Sequence, residues 1–316
     1  VPDIVDTWNE GKVADVEGYY ENAKINRVYV DRVHVKKAFA EYTAAYNADD
    51  PKIKLKVDHT YRVAALCERI AKAAGMCAYD VELAWLSGML HDVGRFEQIK
   101  RYNTFSDADS VDHAKFGADL LFKDGLISTF LNGMVKCTGY KPGALEDRYS
   151  SDGVFLYDRL NKSDMEMLEL AIRCHNMYRI PQGLNRREQA FCNVLRDADK
   201  VDIFKVNIDT PLEEIYNTTT EELMKSDITD EVLEAFDEEH CILKAIRRTP
   251  ADTVIGHVSL AYELVYDESV RITVEQGYLA KLMHFHSDNE ATNRKMAMVR
   301  EKMDSYVKKR IGEKDA

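Results

Sequence analysis

A neutral imidazole followed at once by a carboxylate, His91-Asp92, closes the apolar segment Ala84-Trp85-Leu86-Ser87-Gly88-Met89-Leu90. Gly94 follows as a turn residue, and Arg95 then brings a positive charge of a kind that suits phosphate. Imidazole and carboxylate donors together form the borderline set that suits Fe, Mn, Zn or Co, with positions left for water and substrate. A dipeptide alone carries little weight, so the partners of this pair must come from elsewhere in the chain.

Helix geometry, at 100° per residue, sorts the other donors by face. His59 falls about 40° from Val63, near the line of Leu66 and Ile70. His175 falls within about 20° of Leu168, on the side of Ala171 and Ile172. Asp199 lies about 40° from Leu195 and Asp197 about 160° away, which makes Asp199 the inward carboxylate and Asp197 the dispensable one. One buried histidine is usually a satisfied core residue. A carboxylate on an inner face is harder to dismiss, because burying it alone is costly and a metal or cation relieves the cost. The remaining histidines (34, 240, 257, 284 and 286) and Cys174 read as ordinary core or surface residues. Lys100 and Arg101 read mainly as solvated charges.

These donors need helices to carry them. Apolar residues recur at three- and four-residue spacing and no long series of alternating strands is present, so the chain reads as mainly α-helical. Asp31 caps a first helix with Val35, Phe39, Tyr42 and Tyr46 inside, ended by Asn47–Pro51. A second runs from His59 to Ala74 and stops at Gly75. Asp80 caps the apolar helix ending in His91-Asp92. Residues 95–111 read as a loop, 112–123 as a helix, and 124–162 as short helices and loops forming a rim or lid. Ser163-x-x-Glu166 and Asn185-x-x-Glu188 are capping boxes that open the helices bearing His175 and Asp199. Thr210-Pro211-x-Glu213 starts a further helical series, with apolar stripes at Val254, Val258, Ala261, Tyr262 and Val265 and at Met296, Val299, Met303 and Val307. The division this suggests is an N-terminal arm and helix (1–52), a catalytic core (53–207), and a C-terminal helical extension packed on the core (208–316).

Composition bounds the partners. The chain has 55 Asp+Glu against 43 Lys+Arg, a net charge of -12. That argues against a nucleic-acid polymer as partner and leaves room for a local basic pocket holding a small phosphorylated ligand. No apolar run approaches the ~20 residues that span a bilayer, so no membrane partner is expected. Six cysteines without a CxxC pair fit reduced thiols and the cytoplasm. The chain opens on Val1 rather than Met without a signal-peptide pattern, which fits trimming and leaves any targeting segment open.

The order His59, His91-Asp92, Asp199 resembles the H…HD…D signature of the HD-domain metal-dependent phosphohydrolase superfamily. Asp112-His113-Ala114-x-x-Gly117-Ala118 and Ala171-Ile172-Arg173-Cys174-His175-Asn176 resemble the two extra histidine segments of its binuclear members. The resemblance covers residues 53–207. It implies an all-α HD-domain bundle with one divalent metal on His59, His91, Asp92 and Asp199. A second would sit on His113 and His175, with Asp92 bridging. The metals implied are Fe, Mn, Co or Zn, with Mg also open. Asp92 and Arg95 are the catalytic residues, Arg95 set against substrate phosphate. Two metals about 3.5–4 Å apart bridge a water, lower its pKa and hold a phosphoryl group for in-line attack. The implied reaction is therefore hydrolysis of a nucleotide or other small phosphate mono- or diester by a metal-bridging hydroxide. The C-terminal helices leave a homo-oligomer face open. Two features depart from the better-known subgroups: there is no Gly-Tyr-Pro motif, and Asn176 follows His175 where a second histidine stands elsewhere. The same ligand scaffold also serves HD-type di-iron oxygenases similar to myo-inositol oxygenase. A non-catalytic nucleotide-binding module is the third reading.

Overall fold

The computed structural model describes residues 30–131, 136–137, 155–156, 162–216 and 218–312. Much of the expected rim (124–162) and the arm before residue 30 lie outside the described residues. The fold is all-α: its only strands among the described residues are two-residue segments, β1 (Lys136–Cys137) and β2 (Phe155–Leu156), paired antiparallel. The contacts divide the chain into two compact units, Val1–Arg196 and Asp197–Ala316.

In the first unit α1 (Arg32–Thr43) opens as expected, with the Asp31 carboxylate accepting from the His34 amide at 3.0 Å. The next helix, α2 (Pro51–Ala73), begins eight residues earlier than its apolar stripe suggests. Pro51 cannot continue a preceding helix but suits a first turn, and the Asp50 side chain caps the Lys52 amide. Gly75, at φ +73, ends it. The apolar helix is α3 (Ala78–Leu90), buried at almost every position from Asp80 onward, as a helix hydrophobic all round must be. Asp80 is not its cap. That carboxylate pairs instead with Arg187 at 2.7 Å, and Arg187 also reaches Asp164, to which the Tyr79 hydroxyl donates.

Residues 95–111 are only partly a loop, because α4 (Val93–Tyr102) starts one residue after Asp92. It stops at Asn103, whose left-handed φ of 53 closes the last turn. Asp112 then caps α5 (His113–Ala118), which continues as a π-helical turn through Lys123. A short α6 (Ile127–Leu131) and α7 (Lys162–Cys174) follow, so Ser163 lies inside a helix rather than at its cap. The Asn185–Glu188 capping box forms as read, with reciprocal bonds of 2.9 and 3.0 Å. It opens α8 (Arg186–Asp209), whose residues from Asp197 on belong to the second unit.

Two glycine crossings set the spacing of these helices. A Cβ on Gly88 of α3 would meet Ala64 Cα of α2 at 2.6 Å. One on Gly94 of α4 would meet the His113 carbonyl at 2.5 Å and the Gly117 nitrogen of α5 at 2.7 Å. Only hydrogen at these positions lets the backbones approach so closely. Gly94 therefore serves close packing within a helix, and the turn is made by His91 and Asp92 themselves.

The second unit comprises the end of α8 with α9 (Leu212–Tyr216), α10 (Thr220–Lys225), α11 (Asp230–Asp237), α12 (Pro250–Val258), α13 (Asp267–Gln276), α14 (Tyr278–Met283) and α15 (Glu290–Ile311). The Met296, Val299, Met303 and Val307 stripe of α15 is buried as expected, whereas Val265 is half exposed. Asp197 departs most from its expected place: it is fully buried. Its carboxylate accepts from the amides of Val265 and Tyr266 and from the Ser269 hydroxyl at 2.7–3.0 Å, fixing the start of α13.

Candidate metal centre

Four imidazoles in the first unit converge on one carboxylate. His59 comes from the middle of α2, and His91-Asp92 from the turn between α3 and α4. His113 opens α5 and His175 directly follows α7. All five side chains are buried. The Gly88–Ala64 crossing brings His59 beside His91, and the Gly94–Gly117 crossing brings His113 beside Asp92. The sequence therefore builds the site through helix contacts that only glycine permits.

The geometry separates the two oxygens of Asp92. Oδ2 faces Nε2 of His59 and Nε2 of His91, each at 3.6 Å. Oδ1 faces Nε2 of His113 at 3.6 Å and Nε2 of His175 at 3.8 Å. The imidazole nitrogens meet in the same pairs, His59 with His91 at 3.3 Å and His113 with His175 at 3.0 Å.

The opposite ring nitrogens settle the tautomers. His91 Nδ1 donates to the Gly88 carbonyl at 2.8 Å and His175 Nδ1 to the Ile172 carbonyl at 2.7 Å. His113 Nδ1 donates to the Asp107 carboxylate at 2.7 Å. Each of these rings thus presents an Nε2 lone pair to the centre. Burial first, then the charge of Arg95, pushes His113 down to about 4, so its ring is neutral near pH 7. Two lone pairs 3.0 Å apart repel unless a cation stands between them. Asp92 Oδ1 has no hydrogen-bond partner among the described residues although it is buried. Neutral imidazoles, an orphaned carboxylate oxygen and ring orientation by a carboxylate and by carbonyls are what a divalent metal needs, and the residues fit one. His91, Asp92 and His175 offer ligand atoms that all lie within 4.8 Å of one another, as do Asp107, Asp112 and His113.

Lys56 is the residue that helical-face reasoning passed over. Its ammonium is 2.7 Å from Asp92 Oδ2, and it lies over the Phe105 ring. Burial works to raise the Asp92 carboxyl, but the charge of Lys56 first, with Arg95 beside it, holds it well below the ordinary carboxylate range. Lys56 stands three residues before His59, and a basic residue one turn ahead of a ligand on the same side of a helix was the available signal. Asp107 was also missed. It lies in the irregular stretch between α4 and α5, where no periodicity marks an inner face.

Arg95 borders the centre, but most of its bonding is internal. Its Nη1 donates to Gln98 and to the Phe105 carbonyl at 2.7 Å and to Asp107 at 3.0 Å, and its Nε lies 3.7 Å from Asp92 Oδ1. Lys100 and Arg101 pair with Glu97 on the outside of α4. Asn176 donates to both Asp107 and Asp112. Asp199 is half-buried on the part of α8 that belongs to the second unit.

An all-α fold that points imidazoles from separate helices at one shared carboxylate gathers a donor set that could hold a divalent metal. Residues 57–204 match the family model described as HD domain. That match is consistent with the HD-domain metal-dependent phosphohydrolase superfamily. No curated protein and no solved structure matched the chain. No helix among the described residues is long and apolar enough to cross a membrane.

Proposed function

We propose that the chain is a metal-dependent phosphohydrolase that cleaves a nucleotide or another small phosphate mono- or diester. The observation that carries this reading is the division of Asp92, each oxygen turned to a separate imidazole pair. His59, His91 and Asp92 would hold one metal, with Asp199 as a further ligand. Asp199 lies within the matched residues 57–204, and its role is the one that the resemblance to the H…HD…D signature implies. Asp92, His113 and His175 would hold the second. Divalent metals supply an activated water and neutralise charge on a transferring phosphoryl group.

The chain's own residues do the rest. The buried wall of α3 excludes bulk water from the back of the site, which strengthens every charge interaction in it. Lys56 and Arg95 flank Asp92 and share the Phe105 ring, Lys56 as the residue freer to meet a phosphate oxygen and Arg95 as the steadier wall. Two cations beside the donor set favour an anionic ester over the uncharged substrate of an HD-type oxygenase. The acidic net charge supports a small substrate, the cysteine pattern a cytoplasmic setting, and residues 53–207 the catalytic core.

Elemental analysis of protein purified without added metal, joined to a phosphate-ester screen with and without O₂, tests the reading. About two metals per chain with anaerobic hydrolysis are expected. Turnover that requires ferrous iron and consumes oxygen would overturn it.

A further inference from the structure

The two halves of the centre are not held alike. His91 is oriented by a carbonyl of its own helix, three residues back, and so is His175. His113 is oriented by a side chain, Asp107, which belongs to the stretch between α4 and α5. Asp107 is in turn held by three side chains from two places. Arg95 and Gln98 of α4 donate to its Oδ1, each at 3.0 Å, and Asn176 beyond α7 donates to its Oδ2 at 3.3 Å. Gln98, fully buried, also holds Ser110 at 2.8 Å and the Val111 carbonyl at 3.0 Å, and Asn176 holds Asp112 at 3.0 Å. The stretch is thus laced to the helices at several points, and the lacing converges on the carboxylate that grips His113.

Resting on the two-metal reading above, we infer that Asp107 is a positioning residue that sets the affinity of one metal position only, the one facing Asp92 Oδ1. A carboxylate on Nδ1 fixes the ring and makes Nε2 a stronger donor, and losing such a partner typically costs about 10–100-fold in metal affinity. The position facing Asp92 Oδ2 is supported by other groups, the Lys56 ammonium at 2.7 Å from that oxygen and the Gly88 carbonyl that orients His91, so it keeps its affinity. The lacing also explains Asn176, which stands where other binuclear members place a histidine. Here it acts through Asp107 instead of as a ligand.

The test is a Co²⁺ titration of metal-free protein, wild type against Asp107→Asn, followed by calorimetry and by visible absorption of the bound cobalt. The expected result is two binding steps in the wild type. In the variant the second step weakens about 10–100-fold with an altered cobalt spectrum, while the first stays within about twofold. The melting temperature of the metal-free protein serves as the folding control. Asn176→Ala, on an exposed residue, should shift the same step by a smaller factor, and it stands in should Asp107→Asn fail to fold. An unchanged second step, or an equal loss at both steps, would overturn the inference while leaving the two-metal reading intact. A single step in the wild type would overturn the two-metal reading and this inference together.

Discussion

At the scale of single residues, the centre depends on Asp92 more than on any histidine. Each imidazole faces one oxygen, but Asp92 faces all four imidazoles. Asp92→Ala should therefore remove both metals at once, read as metal per chain by elemental analysis; a variant that keeps one full equivalent would show that the carboxylate does not bridge. Lys56→Met should behave oppositely. Its ammonium touches Asp92 and Phe105 but supplies no lone pair, so metal content should hold while KM for a phosphate ester rises. One charge-assisted hydrogen bond is worth about 1.5–3 kcal/mol, a rise of roughly 10–100-fold. His59 was legible in the sequence because a helix has a fixed period and its face is countable. Lys56 shares much of that face, but a lysine on a half-apolar helix ordinarily reads as solvated. Asp107 had no period to betray it.

At the scale of elements, the glycines decide whether the ligands meet. Gly88→Ala places a methyl 2.6 Å from Ala64 Cα and 2.9 Å from its nitrogen, contacts that only separation of α2 and α3 relieves. Overpacking of this kind costs about 1–3 kcal/mol. The urea midpoint should fall, and metal affinity with it, because His59 and His91 ride on the two helices forced apart. Gly117→Ala meets its nearest atom at 3.0 Å and should cost clearly less than Gly94→Ala, which meets the His113 carbonyl at 2.5 Å. If the three variants unfold at one midpoint, close approach is not what these glycines provide. The apolar stripes of α1, α2 and α15 were readable because each helix buries one side. The face argument failed on α8 because Phe191 to Asp202 is buried almost throughout, so no single inner face exists to count from. Asp197 is inward too, in the service of α13. Asp197→Ala strands two amides and a hydroxyl, and should cost about 1–3 kcal/mol in an unfolding experiment rather than proving silent.

At the scale of the whole molecule, stability should carry an acid limb that a half-buried histidine outside the metal centre helps to set. His257, on α12, rests against Tyr216 at 5.5 Å between ring centres, and its buried Nδ1 has no hydrogen-bond partner among the described residues. Burial first, then the charges of Arg247 and Lys244, pushes it down to about 3 from the ordinary 6.5. Above 6.5 neither the folded nor the unfolded chain holds this proton, and His257 adds no pH dependence. Between 6.5 and 3 the unfolded chain takes up a proton that the folded chain refuses, so stability falls as pH falls, by at most about 1.4 kcal/mol per unit. Below 3 both states hold the proton and the loss levels off. His257→Gln removes the titration while keeping an amide that fills much of the same space. Urea unfolding of metal-free wild type and variant at pH 7 and pH 4.5 isolates the residue, because every other titrating group, His113 included, is common to both. The wild type should lose up to about 2.7 kcal/mol more than the variant over that interval. Equal losses would mean that the folded chain accepts the proton at His257 as readily as the unfolded one does, by opening the Tyr216 contact.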